Sequence, residues 1–218
     1  MKIQACIFDL DGVLVDTARY HFLAWKRLAE MLGIEFSHSD NERLKGVSRM
    51  ASLDIILGLG RRDLPMEEKE RLAELKNGWY REYLAGLDEG ALLPGVRDFL
   101  LGCRGLGLSI AVGSASKSAR DVLASTGIIG LFDAVVDGNS PAPPKPAPGL
   151  FLLAARELGA APEATVVFED AAAGVEAALA AEMRVVGIGD AASLGRAQIV
   201  IPGFRGIAAA ELLGRLED

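Results

Sequence analysis

The sequence predicts an α/β fold in which a doubly wound parallel sheet is interrupted by an inserted helical segment. After residue 94, short apolar runs alternate with helical segments, which is typical of parallel strands joined by crossover helices. Between residues 16 and 90, apolar residues recur at three- and four-residue steps and no convincing strand is present. We therefore expect an α/β core domain of residues 1–15 and 94–218 and a helical cap domain of residues 16–93.

The first apolar run, residues 4–8, is too short for a typical helix and is expected to form a buried strand. A helix predicted over residues 17–32 ends at Gly33, and further helical segments follow at about 39–45, 49–58 and 66–86. Pro94-Gly95 breaks this pattern. The remaining predicted elements are helices at about 95–104, 117–126, 147–158 and 171–181, strands at 108–113, 132–136, 165–168, 184–188 and 199–201, and a C-terminal helix.

Composition limits the classes of partner. A chain of 218 residues, half of them hydrophobic, can bury a sizeable core. Its formal net charge of -7 argues against a nucleic-acid or anionic-membrane surface. Two cysteines do not suggest a disulfide framework, and neither a signal peptide nor a membrane-spanning apolar stretch is evident. We expect a cytoplasmic monomer without nucleic-acid or membrane partners.

Polar residues follow four predicted strands. Asp9, Ser114, Lys145 and the pair Glu169-Asp170 are far apart in sequence, yet each comes after an apolar run. Ligands of doubly wound sheets bind beyond the carboxyl ends of the strands. Individually these residues could be an acidic turn, a helix N-cap or a solvated lysine, but together they favour one shared site.

The chemistry of that site is suggested by Asp9 and Asp11. Two carboxylates separated by one residue at a strand end can face the same pocket. One can accept a phosphoryl group as a nucleophile, and the other can move a proton. No G-x-S-x-G, P-loop, G-x-G-x-x-G or Cys/His metal spacing is present to favour another chemistry.

The remaining polar residues complete a phosphoryl-transfer site. Glu169 and Asp170 add negative charge, and a hard cation such as Mg²⁺ would offset the repulsion between the carboxylates and a phosphate. Lys145 adds a fixed positive charge, and Ser114 can donate to phosphoryl oxygens. The sequence therefore predicts a Mg²⁺-dependent phosphoryl-transfer enzyme.

These residues resemble the four motifs of the haloacid dehalogenase superfamily in order and spacing. The matching residues are Phe8-Asp9-Leu10-Asp11-Gly12-Val13-Leu14, Ser114, Lys145 and Glu169-Asp170. The resemblance implies a Rossmann-like core and an aspartyl-phosphate at Asp9, with Asp11 as the acid/base. It also implies Mg²⁺ ligands from the Asp9 side chain, the Asp11 main-chain carbonyl and Asp170, with Glu169 close by.

Within the superfamily the chain is similar to the β-phosphoglucomutase subgroup. The similar stretches are Asp16-Thr17-Ala18, Tyr20-His21-Phe22, Ala24-Trp25-Lys26, Leu44-Lys45-Gly46-Val47-Ser48-Arg49, Lys76-Asn77 and Ser114-Ala115-Ser116-Lys117. The resemblance implies interconversion of β-D-glucose 1-phosphate and D-glucose 6-phosphate through β-glucose 1,6-bisphosphate. A sugar-phosphate or phosphoglycolate-type phosphatase is the alternative, because the core motifs fit it equally well.

A bisphosphate intermediate needs a second anion site away from Asp9. Arg49 is the best candidate because a guanidinium can bind phosphate in a bidentate manner. Ser116 and Lys117, at the start of a predicted helix, offer further donors. The full set of candidate substrate-binding residues is Thr17, His21, Trp25, Lys45, Gly46, Val47, Ser48, Arg49, Lys76, Ala115, Ser116 and Lys117.

The cap residues have open alternatives. His21 and Lys76 would contact the sugar or position Asp11, but His21 could instead pack between the domains and Lys76 could pair with neighbouring glutamates. Trp25 and Val47 could shape the sugar pocket, although Trp25 also fits an apolar helix stripe. Thr17 resembles a hinge residue. Ser118 stands where the subgroup often has asparagine, and the Lys145-Pro146 bond could be cis or trans.

Overall fold

The computed structural model describes residues 2–217 and contains a six-stranded parallel sheet. The strands are β1 (Ala5–Phe8), β2 (Ser109–Gly113), β3 (Ala134–Val136), β4 (Thr165–Glu169), β5 (Arg184–Ile188) and β6 (Ile199–Ile201). Their order is β3-β2-β1-β4-β5-β6. The predicted doubly wound α/β fold is confirmed.

Strand β1 lies at the centre of the sheet. Ala5 is paired with Ser109 of β2 on one side and with Thr165 of β4 on the other. All four residues of β1 are buried, as expected for a parallel strand covered on both faces. The chain extends outward from β1 through β2 and β3, and returns to place β4 on the other side. Ligands of such folds bind where the strand order reverses, which is the gap between the ends of β1 and β4.

Helices cover both faces of the sheet. On one face α5 (Val96–Gly105), α6 (Ala119–Ser125) and α10 (Ala209–Glu217) pack on Cys6 and Phe8. On the other, α7 (Gly149–Glu157), α8 (Ala172–Ala180) and α9 (Ala191–Leu194) pack on Ile7. The alternation of side chains along β1 explains why adjacent residues belong to different clusters.

Most of the segment between β1 and α5 forms a helical insertion. It contains α1 (Ala18–Met31), α2 (His38–Glu42), α3 (Arg49–Leu59) and α4 (Met66–Leu84). A third apolar cluster, which includes Trp25, Leu53 and Leu72, is formed by residues of this segment. The two connections to the sheet run side by side, because Asp16 N donates to Ala91 O at 3.0 Å. The domain boundaries at 16 and 93 stay a prediction.

Some elements differ from the prediction. Helix α9 was not predicted, because its four residues are too few to show a helical period; it is capped by Asp190, which accepts from Ala192 N at 3.1 Å. Helix α2 ends at Glu42, before the predicted residue 45. Across residues 2–217, no helix combines the length and the apolar character needed to cross a membrane.

Candidate active site

Three carboxylates meet at the gap between β1 and β4. Asp9 directly follows β1, and its N–H donates to Phe168 O at 3.0 Å. Glu169 is the last residue of β4, and Asp170 follows it. One carboxylate oxygen of each of the three lies within 4.8 Å of the others. The predicted convergence of strand ends is therefore present.

Lys145 supplies the buried positive charge beside these carboxylates. Its side chain is fully buried, and Nζ donates to Asp9 Oδ1 at 2.6 Å and also to Glu169 Oε1. Burial would lower the pKa of Lys145, but the adjacent Asp9 and Glu169 carboxylates raise it, so the ammonium stays charged. The Lys145-Pro146 peptide bond is cis.

One lysine does not balance three carboxylates. Burial raises the pKa of Asp9 to about 7, with Glu169 and Asp11 adding to the effect and Lys145 opposing it. Burial, followed by Glu169 and Asp9, also raises the pKa of Asp170. Carboxylates that are costly to ionise together are stabilised by a hard divalent cation with oxygen ligands. The donor set therefore fits Mg²⁺.

Gly12 allows the main chain to approach Asp170. Its φ is +85°, and a Cβ atom at this position would lie 2.3 Å from Asp170 Oδ2. A side chain here would therefore displace the carboxylate. Glycine is required both by the backbone conformation and by the contact.

Asp11 is held by groups from the helical insertion and its linker. Asp11 Oδ1 accepts a hydrogen bond from the hydroxyl of Thr17. His21 Nε2 and the Tyr80 hydroxyl each lie 3.5 Å from the same oxygen. Burial would raise the pKa of Asp11, but His21 and Thr17 outweigh it and lower the pKa.

His21 and Lys76 form a buried pair behind Asp11. Lys76 Nζ lies 2.9 Å from His21 Nδ1 and over the rings of Trp25 and Tyr80, at 4.7 and 4.8 Å from their centroids. We assign the ring proton of His21 to Nε2, the atom that faces Asp11, so that Nδ1 accepts from the Lys76 amine. Burial, then Lys76, lowers the pKa of His21, and burial, then Arg49, lowers the pKa of Lys76 to about 7.

Arg49 begins helix α3 and is held by α4. Its Nη1 lies 3.2 Å from Glu74 Oε2, and its Nη2 donates to Asn77 Oδ1 at 2.7 Å. Ser48 is the N-cap of α3 and accepts from Ala51 N at 3.3 Å. The guanidinium is thus fixed in direction by contacts between two helices of the insertion.

A cavity lies between the insertion and the sheet edge. The predicted residues that line it are Asp9, Asp11, His21, Trp25, Lys45, Gly46, Val47, Arg49, Lys76, Ser114, Ala115, Ser116, Lys117 and Asp170. Four predicted residues do not line it. Thr17 bonds to Asp11, Ser48 caps α3, and Lys145 and Glu169 lie behind Asp9. The structure therefore brings both phosphate-binding candidates, at Asp9 and at Arg49, to one cavity.

The chain is similar to known proteins in sequence and in structure. Residues 3–182 match the haloacid dehalogenase-like hydrolase family. The chain belongs to that family. It is 40% identical over 201 residues to the β-phosphoglucomutase of Bacillus subtilis (strain 168), covering 91% of this chain and 89% of the relative. A crystal structure of β-phosphoglucomutase from Clostridium difficile superposes with a TM-score of 0.95 at 38% identity, covering 99% and 97% of the two chains.

The chain is also similar to a sugar-phosphate phosphatase. Fructose-1-phosphate phosphatase YqaB of Escherichia coli (strain K12) is 35% identical over 188 residues, covering 86% of this chain and 97% of the relative. The predicted membership of the superfamily and the resemblance to β-phosphoglucomutase are confirmed. The chain is therefore an enzyme of the haloacid dehalogenase-like family.

Sequence reasoning missed several residues at this haloacid dehalogenase-like site. Asn41 and Ser52 also line the cavity, and Tyr80 contacts Asp11. Asn77 lines it too; it lies in the similar stretch Lys76-Asn77, but the sequence suggested no role for it. Helical spacing could have indicated two of them, because Ser52 is three residues after Arg49 and Tyr80 is four residues after Lys76. Nothing in the sequence indicated Asn41.

Proposed function

We propose that this enzyme is a β-phosphoglucomutase that interconverts β-D-glucose 1-phosphate and D-glucose 6-phosphate through β-glucose 1,6-bisphosphate. The observation that carries the proposal is that one cavity is lined both by Asp9, where a phosphoryl group would be transferred, and by the cationic side chains of Arg49 and Lys117, which could bind a second phosphate. A bisphosphate needs two anion sites, whereas a simple monophosphatase needs one. The similarity to β-phosphoglucomutases over nearly the whole chain supports the same conclusion.

In the proposed reaction Asp9 is the nucleophile. A carboxylate oxygen of Asp9 forms a bond to phosphorus while the bond from phosphorus to the donor oxygen breaks, which produces an aspartyl-phosphate. Lys145 holds the Asp9 carboxylate at 2.6 Å and keeps it in place. Ser114, directly after β2, is available to donate to phosphoryl oxygens.

Mg²⁺ would be held by the side chains of Asp9 and Asp170 and the main-chain carbonyl of Asp11, with Glu169 close by. It supplies positive charge that allows a phosphate to approach these carboxylates. Asp11 gives a proton to the oxygen that leaves phosphorus and takes one from the oxygen that attacks it. The Thr17 and His21 contacts orient Asp11 for both steps.

The helical insertion is proposed to act as a cap. A mutase must pass the phosphoryl group to a sugar hydroxyl rather than to water, and closure of a cap excludes water. Arg49 from α3, with Ser116 and Lys117 from the core, would bind the phosphate that does not react. His21, Trp25, Lys45, Gly46, Val47 and Lys76 would complete the sugar pocket.

A coupled assay tests the proposal. The enzyme is given β-glucose 1-phosphate, Mg²⁺ and a trace of the 1,6-bisphosphate, and glucose 6-phosphate is detected by its oxidation. We expect rapid isomerisation with little inorganic phosphate, and loss of this activity in Asp9→Asn. Rapid phosphate release without glucose 6-phosphate would contradict the mutase.

The second candidate is a sugar-phosphate or phosphoglycolate-type phosphatase. It is favoured by the similarity to a fructose-1-phosphate phosphatase. The core motifs also fit phosphoryl transfer to water as well as transfer to a sugar hydroxyl. A phosphatase would hydrolyse several monophosphates without any bisphosphate. In that case Arg49→Ala would reduce kcat/KM less than in a mutase, because no second phosphate has to be bound.

A further inference from the structure

The two carboxylate oxygens of Asp11 have different surroundings. Oδ1 accepts from the Thr17 hydroxyl and has His21 Nε2 and the Tyr80 hydroxyl at 3.5 Å each. Among residues 2–217, none makes a hydrogen bond to Oδ2. Three donors therefore converge on one oxygen, and the other oxygen is left to face the cavity that Asp11 lines.

Tyr80 is the least expected of the three donors. Only 1% of Tyr80 is exposed, and its ring stacks on His21 with 4.0 Å between the centroids. Burial, followed by Asp11, raises the pKa of Tyr80, and the Ser116 and Thr17 hydroxyls oppose the rise. A buried phenol needs polar partners for its hydroxyl, and those described here all belong to the active site. Tyr80 itself does not line the cavity.

We propose that Tyr80 is a positioning residue that, with Thr17 and His21, fixes Oδ1 of Asp11 so that Oδ2 exchanges the proton with the sugar oxygen. The proposal rests on the phosphoryl-transfer role of Asp11 given above. As the bond from phosphorus to the sugar oxygen breaks and that to Asp9 forms, the proton on Oδ2 passes to the sugar oxygen. In the return step the same oxygen takes a proton from the attacking hydroxyl.

The contact between Tyr80 and Asp11 joins the helical insertion to the sheet. Tyr80 belongs to α4 of the insertion, whereas Asp11 follows β1 of the sheet. The hydroxyl can therefore reach Asp11 only where the insertion lies against the sheet edge. Through Tyr80, the orientation of the Asp11 carboxylate thus depends on whether the insertion is packed against the sheet edge.

The variant Tyr80→Phe removes the hydroxyl and keeps the ring. The proposal is tested by comparing its rates with two phosphoryl donors, a sugar phosphate and acetyl phosphate. A sugar oxygen must be protonated as it leaves, whereas acetate needs no proton. We expect kcat for isomerisation to fall roughly 10- to 100-fold with KM little changed. The burst of acetate released when acetyl phosphate phosphorylates Asp9 should keep its wild-type rate.

Tyr83→Phe is the matched control, because Tyr83 lies on the same helix and is half-buried. It should change neither rate. Equal losses with both donors in Tyr80→Phe would mean a general structural role, and no loss with either would mean that the hydroxyl is not used. Both outcomes overturn the proposal.

A double variant separates this proposal from the proposed function. In Asp11→Asn the hydroxyl has no acid/base to position, so adding Tyr80→Phe should reduce the rate no further. If the wild-type enzyme hydrolyses sugar phosphates without isomerising them, the mutase assignment fails. The leaving-group comparison then still tests Tyr80, with the release of sugar measured instead of isomerisation.

Discussion

Lys145 faces two buried carboxylates, Asp9 and Glu169, so its single positive charge does not neutralise both. Asp9, the proposed nucleophile, therefore lies in a buried group with excess negative charge. The pKa of Asp9 is raised above its ordinary value to about 7. Between the ordinary aspartate pKa and about pH 7, Asp9 therefore holds a proton in the folded state that the unfolded chain has already lost. The free energy of unfolding falls as pH rises through this range. At pH 8 we expect the ionised Asp9 carboxylate to destabilise the fold.

Replacement of Asp9 should therefore reduce activity and increase stability. Asp9→Asn should lose at least roughly 1000-fold in kcat and, at pH 8 with divalent metals chelated, gain about 0.5–2 kcal/mol in the free energy of unfolding. Thermal and urea unfolding measure the gain. The exposed Asp133 is a control whose pKa is lowered, because Arg104 and Ile110 N–H outweigh its burial. Asp133→Asn should be no more stable than wild type; a less stable Asp9→Asn would contradict this account.

Lys76 gives the opposite pH dependence. Its pKa is lowered to about 7 by burial and by Arg49. Between about 7 and the ordinary lysine value, the unfolded chain holds a proton that the folded chain lacks, so stability rises with pH. The free energy of unfolding of wild type minus that of Lys76→Met should rise by up to about 1.4 kcal/mol per pH unit above pH 7.

Unfolding at pH 7, 8 and 9 in chloride buffer measures this difference, because phosphate or sulfate would bind beside Arg49 and hold the proton on Lys76. Lys69→Met is a suitable control, since Lys69 pairs with Asp54 and Asp63 and its pKa is raised. Parallel pH profiles for wild type and Lys76→Met would show that Lys76 keeps its charge in the folded protein.

At the scale of elements, the turn after β1 is expected to shape the proposed metal site. Gly12 has a φ of +85°, and an added Cβ would lie 2.3 Å from Asp170 Oδ2. Gly12→Ala should weaken Mg²⁺ binding by at least about tenfold, because the carboxylate must move. Calorimetric titration with Mg²⁺ measures the change.

Gly107→Ala provides a matched control for backbone strain. Gly107 has a φ of +75°, but an added Cβ meets no atom within 4 Å. Both substitutions should lower stability by on the order of 1 kcal/mol, while Gly107→Ala should leave Mg²⁺ affinity unchanged. Equal affinities in the two variants would show that the turn does not control the metal site.

The strand ends were predictable from sequence, whereas contacts between helices were not. Asp9 and Glu169 end apolar runs in a parallel sheet, and topology alone brings such positions together. The bond from Arg49 to Asn77 joins residues of α3 and α4, and its geometry depends on how two helices pack. The contact of Tyr80 with Asp11 crosses from insertion to sheet, so no local pattern contains it.

At the scale of the whole molecule, Gly46 lies where the insertion meets the sheet edge. Its φ is +72°, and an added Cβ would lie 3.1 Å from the Cβ of Ala171, which follows Asp170. A larger side chain should hold the two parts of the enzyme apart and admit water. Gly46→Val should therefore raise the ratio of phosphate release to isomerisation by roughly tenfold or more.

That ratio is measured from the two products in one reaction mixture. Gly33→Val is the control, because Gly33 is in the same insertion with a φ of +65° and its added Cβ meets only Arg62 Nη2, at 4.0 Å. It should lose stability without changing the product ratio. An unchanged ratio in Gly46→Val would mean that close packing of the insertion against the sheet edge does not determine whether the phosphoryl group is transferred to a sugar hydroxyl or to water.

The central position of β1 has a consequence for how the protein is made. Ala5 is translated well before its partners Ser109 and Thr165. The insertion carries its own apolar cluster and is complete by residue 84, so its helices can form while β1 is still unpaired. We expect β1, an apolar strand with two free edges, to depend on shielding until β4 has been translated. Asp9 at its end should then be among the last parts of the fold to reach its place.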